Sequence, residues 1–180
     1  MTTLPSRRDT LKALAAGATA GILTPPAWSQ AFPSRPIRLI CPWPAGGSTD
    51  AVMRAIAESG AKALGGQIVI DNKPGAGGTL GANELVNARG DGYVLSQLPH
   101  GVFRIPHMQK TQFDTLKDFT WIICLTGYTF GLVVPADSPI KSIADLVAYA
   151  KANPGKFSYG STGTGTSPHL AVEEFAQRAG

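Results

Sequence analysis

Two stretches of the chain combine glycines with hydroxyl side chains in a pattern that suits an anion. The first, Pro44-Ala45-Gly46-Gly47-Ser48-Thr49-Asp50, follows an apolar run and precedes a helical pattern. Glycines leave backbone N–H groups unshielded, and the first turn of a helix has N–H groups without intrahelical partners. One such interaction contributes only about 0.3 to 1 kcal/mol, so useful affinity requires a second site of the same kind.

The second stretch, Ser161-Thr162-Gly163-Thr164-Gly165-Thr166, supplies this second candidate. It leads into Ser167-Pro168, which we interpret as a helix N-cap followed by proline at the first helical position. The first stretch has neither the Gly-Lys-Ser/Thr ending of a phosphate-binding loop nor the spacing of a dinucleotide fingerprint. Packing glycines at a strand-to-helix turn remain the alternative interpretation.

The elements between these stretches alternate. Strands are predicted at Ile37–Cys41, Gln67–Asp71 and Tyr93–Leu98, and helices from Ser48 to Gly65 and from Thr79 to Arg89. This order predicts a parallel sheet with both faces covered. Ligands bind beyond the carboxyl ends of such strands, where the loops Pro42–Ser48, Pro74–Thr79 and Pro99–Val102 would meet.

The later part of the chain predicts a second α/β unit. Strands are expected at Trp121–Leu125, Phe130–Val134 and Lys156–Gly160, whereas Phe103–Phe119 shows no regular pattern. Ser142 and Asp145 resemble a capping box, which predicts a helix from there to Asn153-Pro154-Gly155.

The amino terminus has the features of an export signal. Arg7 and Arg8 precede a short apolar run from Ala13 to Leu23, with small residues near Ser29. The run is too short to span a bilayer, and the arginine pair favours twin-arginine export, with Sec export as the alternative. We predict cleavage near residues 29–32. Loss of three basic and one acidic residue then lowers the net charge from +4 to +2.

The remaining composition argues against several functions. No Lys/Arg cluster with interleaved aromatics suggests nucleic acid, and no Cys or His spacing suggests a metal site or another cofactor. Cys41 and Cys124 both lie in apolar runs, where buried free thiols are more common than a disulfide; their pairing stays open.

Several segments in this order resemble one family, the periplasmic solute-binding receptors of tripartite tricarboxylate transporters, also called Bug-type receptors. The matching segments are Phe32–Ile37, Pro44–Asp50, Asn72–Gly78, Asp91–Tyr93, Leu116–Phe119 and Gly163–Leu170. The resemblance implies a periplasmic binding protein of type II with two Rossmann-like lobes. Residues 1–31 would be the signal, 32–126 the first lobe and 127–180 an incomplete second lobe.

The resemblance also implies the function and its residues. The receptor would be a monomer that captures a small organic carboxylate in the periplasm and passes it to membrane permease subunits, without catalysis. The implied ligand-binding residues are Trp43, Ala45, Gly46, Gly47, Ser48, Asp50, Gly78, His100, Ser161, Thr164, Gly165, Thr166, Ser167 and His169. His100 departs from the small hydroxyl residues usual at its position, which leaves the solute open.

Three alternatives accompany this interpretation. Asp50 could serve the helix dipole or face a ligand amino group. Ser167, His169 and Asp50 supply the residue types of a hydrolase triad, although no G-x-S-x-G elbow is present. The family is roughly twice as long as the mature chain, so we also expect a partial receptor whose binding is in question.

Overall fold

The computed structural model describes residues 31–180, so the predicted export signal lies outside the described residues except for Ala31. Residues Arg35–Gly180 form one compact unit, and Ala31–Ser34 are not part of it. The elements of the larger unit are, in order, β1 (Ile37–Cys41), α1 (Ser48–Leu64), β2 (Ile68–Asn72), a short 3-10 turn (Ala76–Gly78), α2 (Leu80–Leu85), β3 (Val94–Ser96), α3 (Gly101–Met108), α4 (Ile143–Ala152) and α5 (Ser167–Ala179).

The three strands form the predicted parallel sheet. Their order is β2-β1-β3, so β1 lies at the centre and pairs with both neighbours. Leu39 is opposite Ile70 on one side and Leu95 on the other. The prediction of a parallel α/β sheet is therefore confirmed, with each strand within about two residues of its predicted bounds.

Helices cover both faces of this sheet. On one face, Met53 and Ala57 of α1 pack with Leu39 and Cys41 of β1. On the other face, the Cα of Gly81 in α2 lies so close to β1 and β3 that an added Cβ would approach Ser96 Oγ to 2.4 Å. A second apolar cluster joins α2 to α3 and consists of Ala82, Val102, Ile105 and Phe113.

The helix caps agree with the sequence prediction at some helix ends and lie one residue earlier at others. Helix α1 ends at Gly65, whose φ of 65° supplies the left-handed C-cap that glycine favours. Its N-cap is Gly47 instead of Ser48, and the N-cap of α5 is Thr166 instead of Ser167. Ser142 caps α4 as predicted, because its Oγ accepts a hydrogen bond from the Asp145 N–H at 3.1 Å. Asp145 Oδ2 in turn accepts from the N–H of Lys141 at 3.0 Å.

Two sets of predictions are wrong. No strand forms at Trp121–Leu125, Phe130–Val134 or Lys156–Gly160 in the described residues, because no neighbouring strand lies beside them to complete their hydrogen bonds. Conversely, α3 forms where no regular pattern was expected, and Pro106 lies inside it. Helix α2 is also shorter than predicted and ends at Leu85.

Within residues 31–180, no helix has the length and apolar character required to cross a membrane.

Candidate functional site

Side-chain hydrogen bonds join the carboxyl ends of β1, β2 and β3. Trp43 Nε1 donates to Gln97 Oε1 at 3.2 Å, which connects the loop after β1 with the loop after β3. Asn72 Nδ2 donates to the carbonyl of Trp43 at 3.0 Å, which connects the ends of β1 and β2. The predicted meeting of these loops at the carboxyl edge of the sheet is confirmed.

Asp50 is buried beneath the first of these loops, with 2% of its surface exposed. Its Oδ2 accepts from Arg54 Nε at 2.9 Å and from the Gly46 N–H at 2.9 Å, and its Oδ1 accepts from Asn72 Nδ2 at 2.9 Å. The Arg54 guanidinium, the Gly46 N–H and the Asn72 amide together hold the pKa of the Asp50 carboxyl well below its usual range.

The partners of Asp50 revise its predicted role. It lies in the first turn of α1 as expected, where a carboxylate favours the helix dipole. However, all its bonds go to the chain itself, and it does not line the cleft described next. The Gly46 N–H, which we expected to hold a ligand anion, already donates to this internal carboxylate.

A cleft of about 800 Å³ opens beside the loops. It is bordered by the loop after β1, the glycine-rich loop after β2, the end of α3 and the loop before α5. Its lining residues are Trp43, Pro44, Pro74, Gly75, Ala76, Gly77, Gly78, Ile105, Met108, Gln109, Thr162, Gly163 and Thr164.

Three predicted site residues, Trp43, Gly78 and Thr164, line this cleft. Sequence reasoning missed the contribution of α3, whose residues Ile105 and Met108 form one border together with its C-cap Gln109. Pro106 argued against a helix in this segment, because proline inside a helical pattern normally indicates a helix end. The apolar Val102 and Ile105, three residues apart, are the signal that could have indicated it.

Two glycines bring the borders of the cleft into direct contact. Gly77 has a φ of 61°, and a Cβ added there would lie 3.3 Å from Thr166 Cγ2. Gly163 has a φ of 129°, and a Cβ added there would lie 3.5 Å from the Cα of Gly77. Both positions favour glycine because of their backbone conformation, and the close approach leaves backbone atoms exposed to the cleft.

The loop before α5 is held by its own hydroxyl groups. Thr166 Oγ1 donates to the carbonyl of Gly163 at 2.6 Å and accepts from Thr162 Oγ1 at 3.2 Å. The Gly163 N–H donates to Ser161 Oγ at 3.3 Å. Ser161 and Thr166 thus fix the shape of this loop and do not line the cleft.

The end of this loop is connected to α3 and α5. Ser167 Oγ accepts a hydrogen bond from Arg104 Nη2 at 2.8 Å. His169 Nδ1 accepts from the N–H of Gly165 at 3.4 Å. The three residue types of the hydrolase alternative, Ser167, His169 and Asp50, therefore each have another partner and form no triad.

The other predicted residues lie next to the cleft without lining it. Ala45, Gly46 and Gly47 are exposed on the loop that continues from Pro44, Ser48 is exposed at the start of α1, and exposed His100 is the N-cap of α3. Within residues 31–180, no group of three side chains has the arrangement of a metal site. Cys41 is a buried free thiol as expected, whereas free Cys124 is exposed, contrary to our expectation of burial.

The fold and the cleft can be compared with solved structures, and the structural neighbours of this chain are periplasmic binding proteins. The chain resembles the periplasmic binding protein BugD with a TM-score of 0.68 and 32% identity over 82% of this chain and 50% of that one. It resembles R. palustris Rpa4515 with adipate with a TM-score of 0.68 and 30% identity over 80% of this chain and 49% of that one.

The family follows from the sequence comparison. The family model "Tripartite tricarboxylate transporter family receptor" matches residues 52–180, and the chain belongs to this family. A UPF0065 protein from the gbd 5′ region of Cupriavidus necator is 50% identical over 168 residues, which are 92% of this chain and 51% of that protein. The chain thus spans about half the length of the curated relatives it matches.

Proposed function

We propose that this protein is a periplasmic solute-binding receptor that captures a small organic carboxylate and delivers it to the permease of a tripartite transporter. The observation that carries the proposal is the cleft, in which glycine-rich loops from separate parts of the chain, 75–78 and 162–164, lie face to face. Membership of the receptor family and the adipate-bound neighbour support the same ligand class.

The cleft offers hydrogen-bond donors suited to a carboxylate. In the part of the chain that the structure describes, the backbone N–H groups of Gly77 and Thr164 donate to no protein acceptor. The hydroxyl of Thr164 adds a third donor on the same border. Charge-assisted bonds to a carboxylate are shorter and stronger than neutral ones, so these donors can hold one without a metal ion.

The organisation proposed with this function follows the sequence. We place an export signal at residues 1–31, a first lobe at 32–126 and the beginning of a second lobe at 127–180, with a monomeric receptor. The ligand would contact Trp43, Gly78 and Thr164 from our sequence-based set, together with Gly77 and Gly163. Binding and release would not involve catalysis.

Titration calorimetry of the purified chain with a panel of small carboxylates tests the proposal. We expect saturable binding of at least one carboxylate, accompanied by a higher melting temperature, since ligand that binds only the folded state stabilises it. Nucleotides and neutral sugars should give no heat. Absence of binding for every carboxylate contradicts the proposal.

A matched pair of glycine variants links binding to the cleft. Gly77→Ala places a Cβ against Thr166 at the contact between the two loops and should abolish most of the carboxylate affinity. Gly155→Ala has a similar positive φ of 71° but nothing within 4 Å of its Cβ. It therefore introduces comparable backbone strain at a residue that does not line the cleft and should leave binding unchanged. Equal losses in both variants would place the ligand elsewhere.

A further inference from the structure

Helix α3 touches both of the loops that face each other across the cleft. At the start of α3, a Cβ added to Gly101 would lie 3.8 Å from the carbonyl oxygen of Gly77, in the glycine-rich loop after β2. In the last turn of α3, Met108 Sδ and Ile105 Cδ1 would lie 3.0 Å and 3.3 Å from a Cβ added to Gly165, in the loop before α5. Because contacts this close leave little freedom to move, the position of α3 determines the spacing of the two loops.

One polar contact joins α3 to α5. Arg104 Nη2 donates to Ser167 Oγ at 2.8 Å. Arg104 directly precedes Ile105, which lines the cleft, and Ser167 is the first residue of α5, three residues after Thr164, which also lines it. Neither Arg104 nor Ser167 lines the cleft itself. The contact therefore connects two borders of the cleft from outside it.

The folded chain accommodates Arg104 at a cost in stability. Its Nε is buried and has no hydrogen-bond partner within residues 31–180, and a buried donor without an acceptor destabilises the folded state. Its guanidinium also binds the first residue of α5, where the helix dipole disfavours a cation. No carboxylate of the described chain forms a salt bridge with it. Residues that break local rules in this way are expected at functional sites.

We propose that Arg104 is a positioning residue for carboxylate binding. By holding Ser167, it fixes the loop before α5 against α3 and keeps the backbone donors of Gly77 and Thr164 at the spacing that one ligand requires. This inference rests on the proposed function and assigns a residue to it that does not touch the ligand.

Lys110 provides a matched control for the charge of Arg104. It follows Gln109, which lines the cleft, and its exposed side chain forms no salt bridge in the part of the chain that the structure describes. Replacing either residue by methionine removes one positive charge next to a lining residue. Only the replacement of Arg104 also removes the contact with α5.

Calorimetry on the purified chain, with adipate, malate and benzoate as probes, tests the proposal. With the probe that binds most tightly, Arg104→Met should lower the affinity by about tenfold or more, since small misplacements of binding groups are costly. The melting temperature without ligand should stay the same or rise, because the unpartnered Nε is removed. Lys110→Met should lower the affinity by less than about threefold, as an exposed charge is screened by salt. Equal losses in both variants, or a lower melting temperature of the unliganded Arg104→Met chain, would overturn the proposal.

Ser167→Ala tests the same contact from the side of α5. It shortens a half-buried side chain that is not the N-cap of the helix, so the fold should tolerate it. We expect the same loss of affinity as for Arg104→Met, and no further loss when the two changes are combined, because both remove one contact. Arg104→Lys keeps a donor of similar reach and should recover part of the affinity.

The outcomes separate this proposal from the receptor function. Additive losses in the combined variant, or no recovery with Arg104→Lys, would overturn the positioning role, while binding of a probe by the unaltered chain would still support the receptor. Failure of the unaltered chain to bind any of the three probes would contradict both.

Discussion

The α/β unit at residues 37–108 and the segment 120–160 contain similar apolar runs but fold differently. Ile40 of β1 is fully buried, whereas Val133, in an equally apolar run, is 90% exposed. The runs of the first region lie side by side and exchange backbone hydrogen bonds, while those of the second have no strand beside them within residues 31–180. The difference shows that an apolar run becomes a strand only where a neighbour supplies its hydrogen bonds.

Helices in the second region form nonetheless. Helix α4 has its cap at Ser142 and ends at Asn153 as the sequence predicts, although it contributes only Leu146 to the buried residues. A helix satisfies its backbone within its own segment, so it does not require the partner that a strand requires.

The largest expected effect comes from truncating one residue of each region. Ile40→Ala removes a fully buried side chain from the central strand and should lower the free energy of unfolding by about 2 to 5 kcal/mol. Val133→Ala should change it by no more than about 0.5 kcal/mol, because the side chain is already in water. Urea unfolding followed by circular dichroism measures both. Similar losses of unfolding free energy in the two variants would mean that Val133 is packed in solution. The contrast between the two regions would then not hold.

The next effect compares two carboxylates on α1. Asp50 pairs with Arg54 and Glu58 pairs with Lys62, both four residues apart, but Asp50 is buried and Glu58 exposed. Asp50→Asn should lower the urea midpoint clearly at pH 7, whereas Glu58→Gln should lower stability by at most about 0.5 kcal/mol.

The pH dependence of this stabilisation has a defined sign. Because folding lowers the pKa of Asp50, its contribution is fully present above its ordinary value of 3.8 and is lost as the pH falls below it toward the lower pKa of the folded state. The difference between the unaltered chain and Asp50→Asn should therefore be constant from neutral pH to about pH 5 and narrow below pH 4. A difference that grows on acidification would contradict the ionised, buried carboxylate.

A smaller effect tests whether the second region has local structure of its own. Ser142→Ala removes the side chain that caps α4 and should cost about 1 kcal/mol of helix stability. Hydrogen exchange of the first-turn amides of α4 reports this directly, with the amides of α1 as the internal control. Unchanged exchange in α4 would show that the cap does not stabilise this helix.

The smallest expected effect on stability concerns the exposed apolar segment. Val133→Lys should leave the urea midpoint of the chain unchanged within about 0.5 kcal/mol, since an exposed position loses no packing. The same substitution should raise the concentration at which light scattering detects aggregates, because a charge interrupts an exposed apolar run. Unfolding at a lower urea concentration would instead indicate that Val133 contributes to a packed surface.

The sequence predicted only some of the residues that line the cleft. Two of the residues that it missed were missed for the same reason. Trp43, Gly78 and Thr164 were found because their loops carry glycine and hydroxyl patterns next to strand ends. Ile105 and Met108 were missed because they belong to a helix with an internal proline, which tertiary packing of Val102 and Ile105 stabilises in spite of it. Asp50 was placed at its helix correctly, but its partner Asn72 comes from another strand and cannot be inferred from local spacing.

The sequence by itself determined the features that depend on neighbouring residues. These are the parallel order of strand, helix and strand in the first unit, the glycine end of α1, the Ser142 cap and the loops at the carboxyl edge of the sheet. Tertiary structure decided which apolar runs pair into strands, which carboxylate accepts the hydrogen bond of the Gly46 N–H, and which residues border the cleft. Those outcomes depend on contacts between segments distant along the chain, whose formation no local periodicity or capping pattern encodes.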